Sequence, residues 1–386
     1  MIARTLEKKL RHLYTKFPVI SVTGPRQSGK TTLIKEVFKN LPYVSLENPD
    51  DRAFALDDPR GFLNNYPKGA IFDEVQRVPQ LFSYIQGLVD EDQSIKFILS
   101  GSQNFLLSEQ ISQSLAGRVG ILKLLPFSMF ELKGVNCLSE TFEDVAYKGF
   151  YPRIFDQNID PEDFYPNYLQ TYIERDVRQL TQVGNLNTFT TFLKLCAGRA
   201  GQLLNMSELS NEAGVSVNTI KSWINILETS YIVFRLYSHH KNYNKRLTKM
   251  PKLYFYDTGL LSYLLGIKNS SQIKIHFAKG AIFENLIIGE LMKRHIHIGK
   301  EPNLYFWRDH KGKEIDLIID DGELITPIEI KSGSTKRGDY FNGLDYWNKI
   351  SENDPGKSFV IYGGQENQLR NNGKLISWKS MVNYEI

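Results

Sequence analysis

An α/β protein that opens on a covered parallel sheet is the architecture expected from three observations. First, apolar runs at 17–22, 43–46, 70–72, 95–99 and 119–124 are short and nearly continuous, as in strands buried on both faces. Second, segments of helical spacing separate them, starting with Leu6, Leu10, Leu13 and Tyr14, which is the rhythm of βαβ units. Third, this texture stops after Pro126 and a different strand-rich one begins near Phe277.

In chain order, residues 1–15 read as a helix and 17–22 as the first strand. Segments 161–182 and 189–197 read as helices with no comparable strand between them. Beyond Phe277 come one long helix, strands at 304–307, 314–319, 325–331 and 358–362, and a helix at 340–350. The expected division is 1–135 for the α/β domain, 136–198 for a helical lid or linker, 199–270 for a winged-helix-like part and 271–386 for a small α/β domain. A length of 386 residues agrees with two or three domains, and no internal repeat or low-complexity tract is visible.

Composition narrows the function. A hydrophobic share of 41% and a charged share of 23% exclude a largely disordered or fibrous chain. With 47 Lys and Arg against 43 Asp and Glu, the charge permits nucleic-acid contact without arguing for it. Cys137 and Cys196 alone offer neither a disulfide framework nor a cysteine zinc site. No apolar run reaches a membrane span, and residues 1–12 lack the apolar core of a signal peptide. The expectation is a cytoplasmic protein with no membrane partner.

GPRQSGKT, from Gly24 to Thr31, fits G-x-x-x-x-G-K-[ST] between a strand and a helix. Backbone N–H groups of such a loop wrap phosphates, so Gly24, Pro25, Arg26, Gln27, Ser28, Gly29, Lys30, Thr31 and Thr32 form the candidate ATP cradle. Lys30 would reach the β and γ phosphates and Thr31 would ligate Mg²⁺. Asp73 and Glu74 end an apolar strand, where Asp73 suits the Mg²⁺ shell and Glu74 the polarisation of water. Ser100 leads the polar run Ser100–Asn104 after the next strand and is the candidate for holding that water. Arg118, or Arg175 and Arg178, would supply cationic stabilisation, in cis or from a neighbouring chain.

GPRQSGKTTL, IFDEVQ, LSGSQNF, SLAGR and LLPFSMFEL together resemble the AAA-type P-loop ATPases of bacteria and archaea that carry a C-terminal domain of uncharacterised function. YIERDV at 172–177 and PKLYFYDTGLLSYLLG at 251–266 extend the resemblance over nearly the whole chain. It implies ATP binding and hydrolysis with Mg²⁺, and related ATPases often form rings, so a homo-oligomer, ring or dimer, is an open expectation.

Residues 207–228 have the proportions of a helix-turn-helix, with Ser207 and Ser216 as N-caps and Leu209, Ala213, Val217, Ile220, Ile224 and Leu227 as its core. Asn218, Thr219, Lys221, Ser222 and Asn225 would lie on or near the exposed face of its second helix. A basic stretch follows, with Lys241, Lys245, Arg246, Lys249 and Lys252 and no acidic residue from 239 to 256. It suits phosphate contact with DNA; a packed spacer with solvated lysines is the competing reading.

Segments 314–319 and 325–331 read as a hairpin whose second strand points Glu329 and Lys331 to one face. Asp316 and Glu329 would hold Mg²⁺ with Lys331 activating water, and Glu284, on an apolar helix, would be a third ligand. This set resembles the PD-(D/E)XK nuclease and Holliday-junction resolvase superfamily, with Ile315 where the family's proline would stand. The same pattern also arises as a cross-strand salt bridge. The functional expectation is therefore an Mg²⁺-dependent ATPase coupled to a nucleic-acid-binding, DNA-cleaving terminal domain. The alternatives are a nucleotide-gated DNA-binding regulator with an inactive terminal domain, and a protein-remodelling ATPase.

Overall fold

The computed structural model describes residues 2–101, 114–173, 186–240 and 250–383. Contacts divide the chain into two compact units, one of 1–127, 229–231 and 294–300, the other of 128–228, 232–293 and 301–386. The first unit takes in most of the expected α/β domain together with two short later segments, and most of the three later regions falls in the second unit.

The first unit is built on β1 (Val19–Thr23), β2 (Tyr43–Ser45), β3 (Ile71–Asp73), β4 (Phe97–Gly101) and β5 (Val119–Lys123), in the order β2-β3-β4-β1-β5. All four pairings are parallel. Alternate residues feed two cores: Ile20, Ile71, Ile98 and Leu122 pack with Leu6, Leu10 and Ile34, while Phe72, Phe97 and Leu99 pack with Phe62, Leu81 and Ile85. Two apolar faces explain why these strands read as unbroken apolar runs, each buried side chain contributing roughly 1.5–3 kcal/mol.

Parallel pairing brings the strands' carboxyl ends together, so Asp73 stands opposite Ser100, and Thr23 opposite Gly101. The loop 24–29 and the helix Lys30–Val37 therefore start at the same edge as Asp73. This edge carries the phosphate-loop motif, as expected of ligand sites in open α/β sheets.

The second unit holds an eight-stranded mixed sheet, ordered β12-β13-β11-β10-β9-β8-β6-β7. Its strands are β6 (Val233–Ser238), β7 (Lys252–Phe255), β8 (Leu304–Arg308), β9 (Glu314–Asp320), β10 (Ile325–Lys331), β11 (Phe359–Tyr362), β12 (Gln368–Arg370) and β13 (Gly373–Ser377). The hairpin β9–β10 forms as expected, with Ile325 opposite Asp320. The surprise is β6, which pairs in parallel with β8 through Tyr237 and Ser238, so the strands after the helix pair extend the terminal sheet.

Helices Met206–Ala213 and Val217–Thr229 flank Gly214, whose φ of 67° gives the left-handed turn between them. Two expectations change here. Asn205, and not Ser207, caps the first helix by accepting from the N–H groups of Ser207 and Glu208, whereas Ser216 does cap the second through the N–H of Thr219. Val217 is exposed, unlike Leu209, Ala213, Ile220, Ile224 and Leu227, which are buried. The helix expected over 161–182 runs as Pro161–Tyr168 and widens into a π-turn at Leu169–Ile173, with the remainder outside the described residues.

Candidate functional site

Gly24 leaves β1 at φ 151°, and a Cβ there would lie 2.1 Å from the Leu124 carbonyl oxygen, so the loop needs glycine at its entry. Gln27 and Gly29 also have positive φ, which folds the loop into a cup ahead of the helix Lys30–Val37. Lys30 is buried and donates to the Gly24 and Pro25 carbonyls at 3.0 and 2.9 Å. Among the described residues the buried Oγ of Ser28 has no hydrogen-bond partner. A hydroxyl left unpaired in a cup with a bent-back lysine fits a phosphate ligand.

Asp73 is the hub of the site. Its Oδ2 accepts from Thr31 Oγ1 at 2.7 Å and from the Tyr43 hydroxyl at 2.9 Å, and its Oδ1 accepts from Ser100 Oγ at 2.5 Å. Burial, and then the charge of Asp73, hold the Tyr43 phenol above its ordinary pKa. A carboxylate beside the loop threonine is a set of hard oxygens, the donor chemistry that Mg²⁺ takes. Glu74 follows in the left-handed region at φ 55°, with Gln76 Nε2 donating to its Oε2 at 2.5 Å. Such a non-glycine conformation costs about 1 kcal/mol or more and recurs at functional sites.

Two contributors escaped the sequence reading. Buried Arg4 donates to the Ser28 carbonyl at 2.8 Å and the Leu125 carbonyl at 2.6 Å, with its guanidinium over the Phe127 ring. Tyr231 Oη lies 2.8 Å from Thr23 Oγ1, one residue before the loop. Arg4→Ala is expected to cost about 2 kcal/mol of stability and to weaken ATP binding several-fold in an equilibrium titration. Unchanged ATP affinity would reduce Arg4 to a packing role.

Arg118 is corrected. It precedes β5, its carbonyl accepts from Val19 N, and its guanidinium pairs with Asp90 at 2.5 and 2.8 Å. Val19 begins β1 and the loop follows its far end, so Arg118 does not serve its own chain's phosphates. Arg175 and Arg178, like residues 102–104, lie outside the described residues.

In the second unit, Lys331 Nζ contacts Glu329 and lies 3.4 Å from Asp316 Oδ2, which also accepts from Ile330 N at 2.7 Å. The helix Asn342–Ser351 presses on this point: a Cβ on Gly343 would lie 2.3 Å from Glu329 Oε1. Burial first, then the negative field of Asp316, push the Glu329 carboxyl up to about 8, against the pull of Lys331. Lys331 is thus the shared countercharge of two carboxylates on neighbouring strands, the cross-strand ion cluster that the same sequence pattern allows.

Glu284, expected as a third ligand, is held by side chains of β7. Its Oε1 accepts from Tyr254 Oη at 2.5 Å and from Lys252 Nζ at 3.2 Å, and Lys252 also reaches Glu314 at 2.5 Å. Burial and then the field of Asp316 raise the Glu284 pKa. Among the described residues no three His, Cys, Asp or Glu side chains form a metal-holding cluster. Lys252, expected among the solvated or phosphate-binding lysines of the wing, is 4% exposed. On the helix pair, Asn218, Lys221 and Asn225 are exposed; Lys241, Lys245, Arg246 and Lys249 lie outside the described residues.

A phosphate loop at the carboxyl edge of a parallel sheet, with Asp73 against Thr31, defines an AAA-type ATPase-like domain. Residues 16–133 match the AAA domain family, 139–271 a domain of unknown function (DUF8612) and 279–381 a domain of unknown function (DUF4143). The chain is 32% identical over 337 residues to the uncharacterized proteins Rv2008c of Mycobacterium tuberculosis and Mb2031c of Mycobacterium bovis, covering 86% of this chain and 74% of each relative. Uncharacterized protein MJ1544 of Methanocaldococcus jannaschii is 26% identical over 351 residues, covering 83% and 75%. The chain belongs to the family these mycobacterial proteins represent, AAA-domain proteins with a C-terminal domain of unknown function. Among solved structures it is similar to the Walker-type ATPase PABY2304 of Pyrococcus abyssi, at TM-score 0.48 and 14% identity over 68% of this chain and 96% of that one. It is also similar to the Aeropyrum pernix ORC2 protein in its ADP form, at TM-score 0.33 and 15% identity over 61% and 87%.

Proposed function

We propose that the protein is an Mg²⁺-dependent ATPase whose nucleotide cycle acts on DNA bound by the helix pair and the basic segment after it. The observation that supports this most is the Asp73 carboxylate, which gathers Thr31, Tyr43 and Ser100 at the mouth of the loop. In this reading Lys30 would exchange its loop carbonyls for phosphate oxygens, and Asp73 with Thr31 would hold the ion. Glu74 takes the proton of the attacking water, and Ser100 keeps Asp73 aligned. Bound Mg²⁺ supplies charge neutralisation on the phosphates. A homo-oligomer, ring or dimer, is the arrangement in which a neighbour's arginine would complete the site.

Lys221, on the exposed face of the second helix, and Lys241, Lys245, Arg246 and Lys249 carry the phosphate contacts in this proposal. Replacing Lys245, Arg246 and Lys249 together is expected to weaken DNA binding and flatten log K against log salt by roughly 2 to 3 units of slope. An unchanged slope would return the three to the solvated surface and leave a protein substrate as the better reading.

A second reading, cleavage of DNA by the terminal domain, is favoured by the meeting of Asp316, Glu329 and Lys331. Cutting that requires Mg²⁺ or Mn²⁺, disappears in Glu329→Ala and survives in Lys30→Ala would support it. No cutting of duplex, single-stranded or branched DNA with either ion would leave the terminal domain as an inert scaffold for a nucleotide-gated regulator.

A further inference from the structure

Gln76 stands beside Glu74 with one end of its amide in use. Its Nε2 donates to Glu74 Oε2 at 2.5 Å. An ionised carboxylate takes only donors, which assigns the nitrogen to Glu74 and leaves the amide oxygen beside it. Among the described residues that buried Oε1 has no hydrogen-bond partner, on a residue 7% exposed. An amide oxygen without a donor in the interior is costly, so a donor arriving with the reaction would find an acceptor in place. The backbone holds this amide still: Glu74 turns the chain at φ 55°, and Val75 is fully buried in an apolar core. Arg77 N donates to the Glu74 carbonyl at 3.1 Å and Val78 N to the Val75 carbonyl at 3.0 Å. Ser100, expected from sequence to hold the attacking water, donates its hydroxyl proton to Asp73 instead.

We propose that Gln76 is a further catalytic residue, its Oε1 accepting from the attacking water while Glu74 takes that water's other proton. The inference rests on the ATPase reading. Oε1 and Nε2 share one carbon, so Oε1 lies within one water's span of the Glu74 carboxylate. In the step itself the water oxygen bonds to the γ-phosphorus as the bond from that phosphorus to the β–γ bridging oxygen breaks, and the electron pair leaves with ADP. One proton passes to Glu74; the other stays on the new phosphate oxygen, held by Gln76. With both O–H bonds engaged, a lone pair of the water is aimed at phosphorus, and orientation of this kind is much of what a protein contributes to phosphoryl transfer.

The test compares two phosphate mimics with Mg²⁺ on the full chain. ADP with beryllium fluoride resembles bound ATP; ADP with aluminium tetrafluoride resembles the transfer step with its in-line water. Gln76→Met keeps the length of the side chain and loses the acceptor. Its affinity for the aluminium complex should fall about tenfold or more while that for the beryllium complex stays within about twofold, and turnover should fall by a similar factor to the former. In a Glu74→Gln background, where proton transfer to residue 74 is already closed, Gln76→Met should still weaken the aluminium complex several-fold. Unchanged affinity for that complex, an equal loss for both mimics, no further loss in the Glu74→Gln background, or faster turnover would each overturn the assignment. If Gln76→Met does not fold, Gln76→Ala is read by the same ratio. A wild-type chain that hydrolyses no ATP would instead remove the ATPase reading, and this inference with it.

Discussion

Glu74→Gln should bind ATP as the wild-type chain does while hydrolysing it about 10²- to 10³-fold more slowly, the usual scale for losing a positioned base. The amide keeps the shape of the side chain and cannot take a proton. Nothing else in the loop changes: Thr31 and Ser100 still meet Asp73, and Lys30 still lies in the cup. Lys30→Ala should behave oppositely, losing nucleotide affinity before turnover is in question. Binding by fluorescence titration and turnover by phosphate release separate the two, and equal hydrolysis by wild type and Glu74→Gln would take Glu74 out of the chemistry. Gln76 adds a control, because its amide holds the Glu74 carboxylate at 2.5 Å: Gln76→Ala should slow turnover less than Glu74→Gln does.

Asp257→Ala should be the most damaging single change in the second unit, at about 3 to 5 kcal/mol and a fall of roughly 5 to 10 °C in the unfolding midpoint. The fully buried carboxylate accepts from Phe150 N at 2.7 Å, Leu260 N at 2.8 Å and the Tyr165 hydroxyl at 2.8 Å. It thereby caps the helix Thr258–Leu264 and fixes the turn ahead of the helix Pro152–Asp156. Alanine leaves the Phe150 and Leu260 N–H groups without this acceptor in the interior, while the Tyr165 hydroxyl retains the Lys148 carbonyl at 3.1 Å; asparagine keeps one acceptor and should lose less. Burial raises the carboxyl's pKa above its unfolded value. The native chain then holds this proton to higher pH than the unfolded chain, so the contribution falls as pH rises from about 4 through the native value. Asp257→Asn should abolish that slope; a slope unchanged in Asp257→Asn would assign it to another group.

Features encoded within a few neighbouring residues were legible in the sequence. The loop 24–31, the acidic end of β3 and the shared face of Glu329 and Lys331 need only a strand's alternation and a turn, and all three are in place. Misread features depend on partners far along the chain. Lys252 looked basic and solvated because no acid lies within 239–256; its partners are Glu284 and Glu314. Arg4 carries no local sign that it will hold Ser28 and Leu125. The parallel pairing of β6 with β8 spans the whole long helix Lys279–His297, and no local pattern announces it. Arg118 is different, because a signal existed. In a parallel sheet, a residue before a strand lies at the edge opposite a loop that follows its neighbour, which excludes Arg118 from the loop. At the first helix of the pair 206–229, Asn205 and Ser207 are both good caps, and the start of the helix at Met206 decides for Asn205.

The first unit is assembled from chain segments that are synthesised far apart. Tyr231 reaches Thr23 only after the helix pair has been made, and 294–300 belongs to this unit although it follows the long helix. Gly299 comes so close to Lys9 that a Cβ there would lie 2.6 Å from its side chain. An emerging chain therefore lacks part of this unit's native contacts until Lys300 has left the ribosome. A fragment cut after Phe127 would expose the surface those two segments cover, so the nucleotide site is best studied in the intact chain.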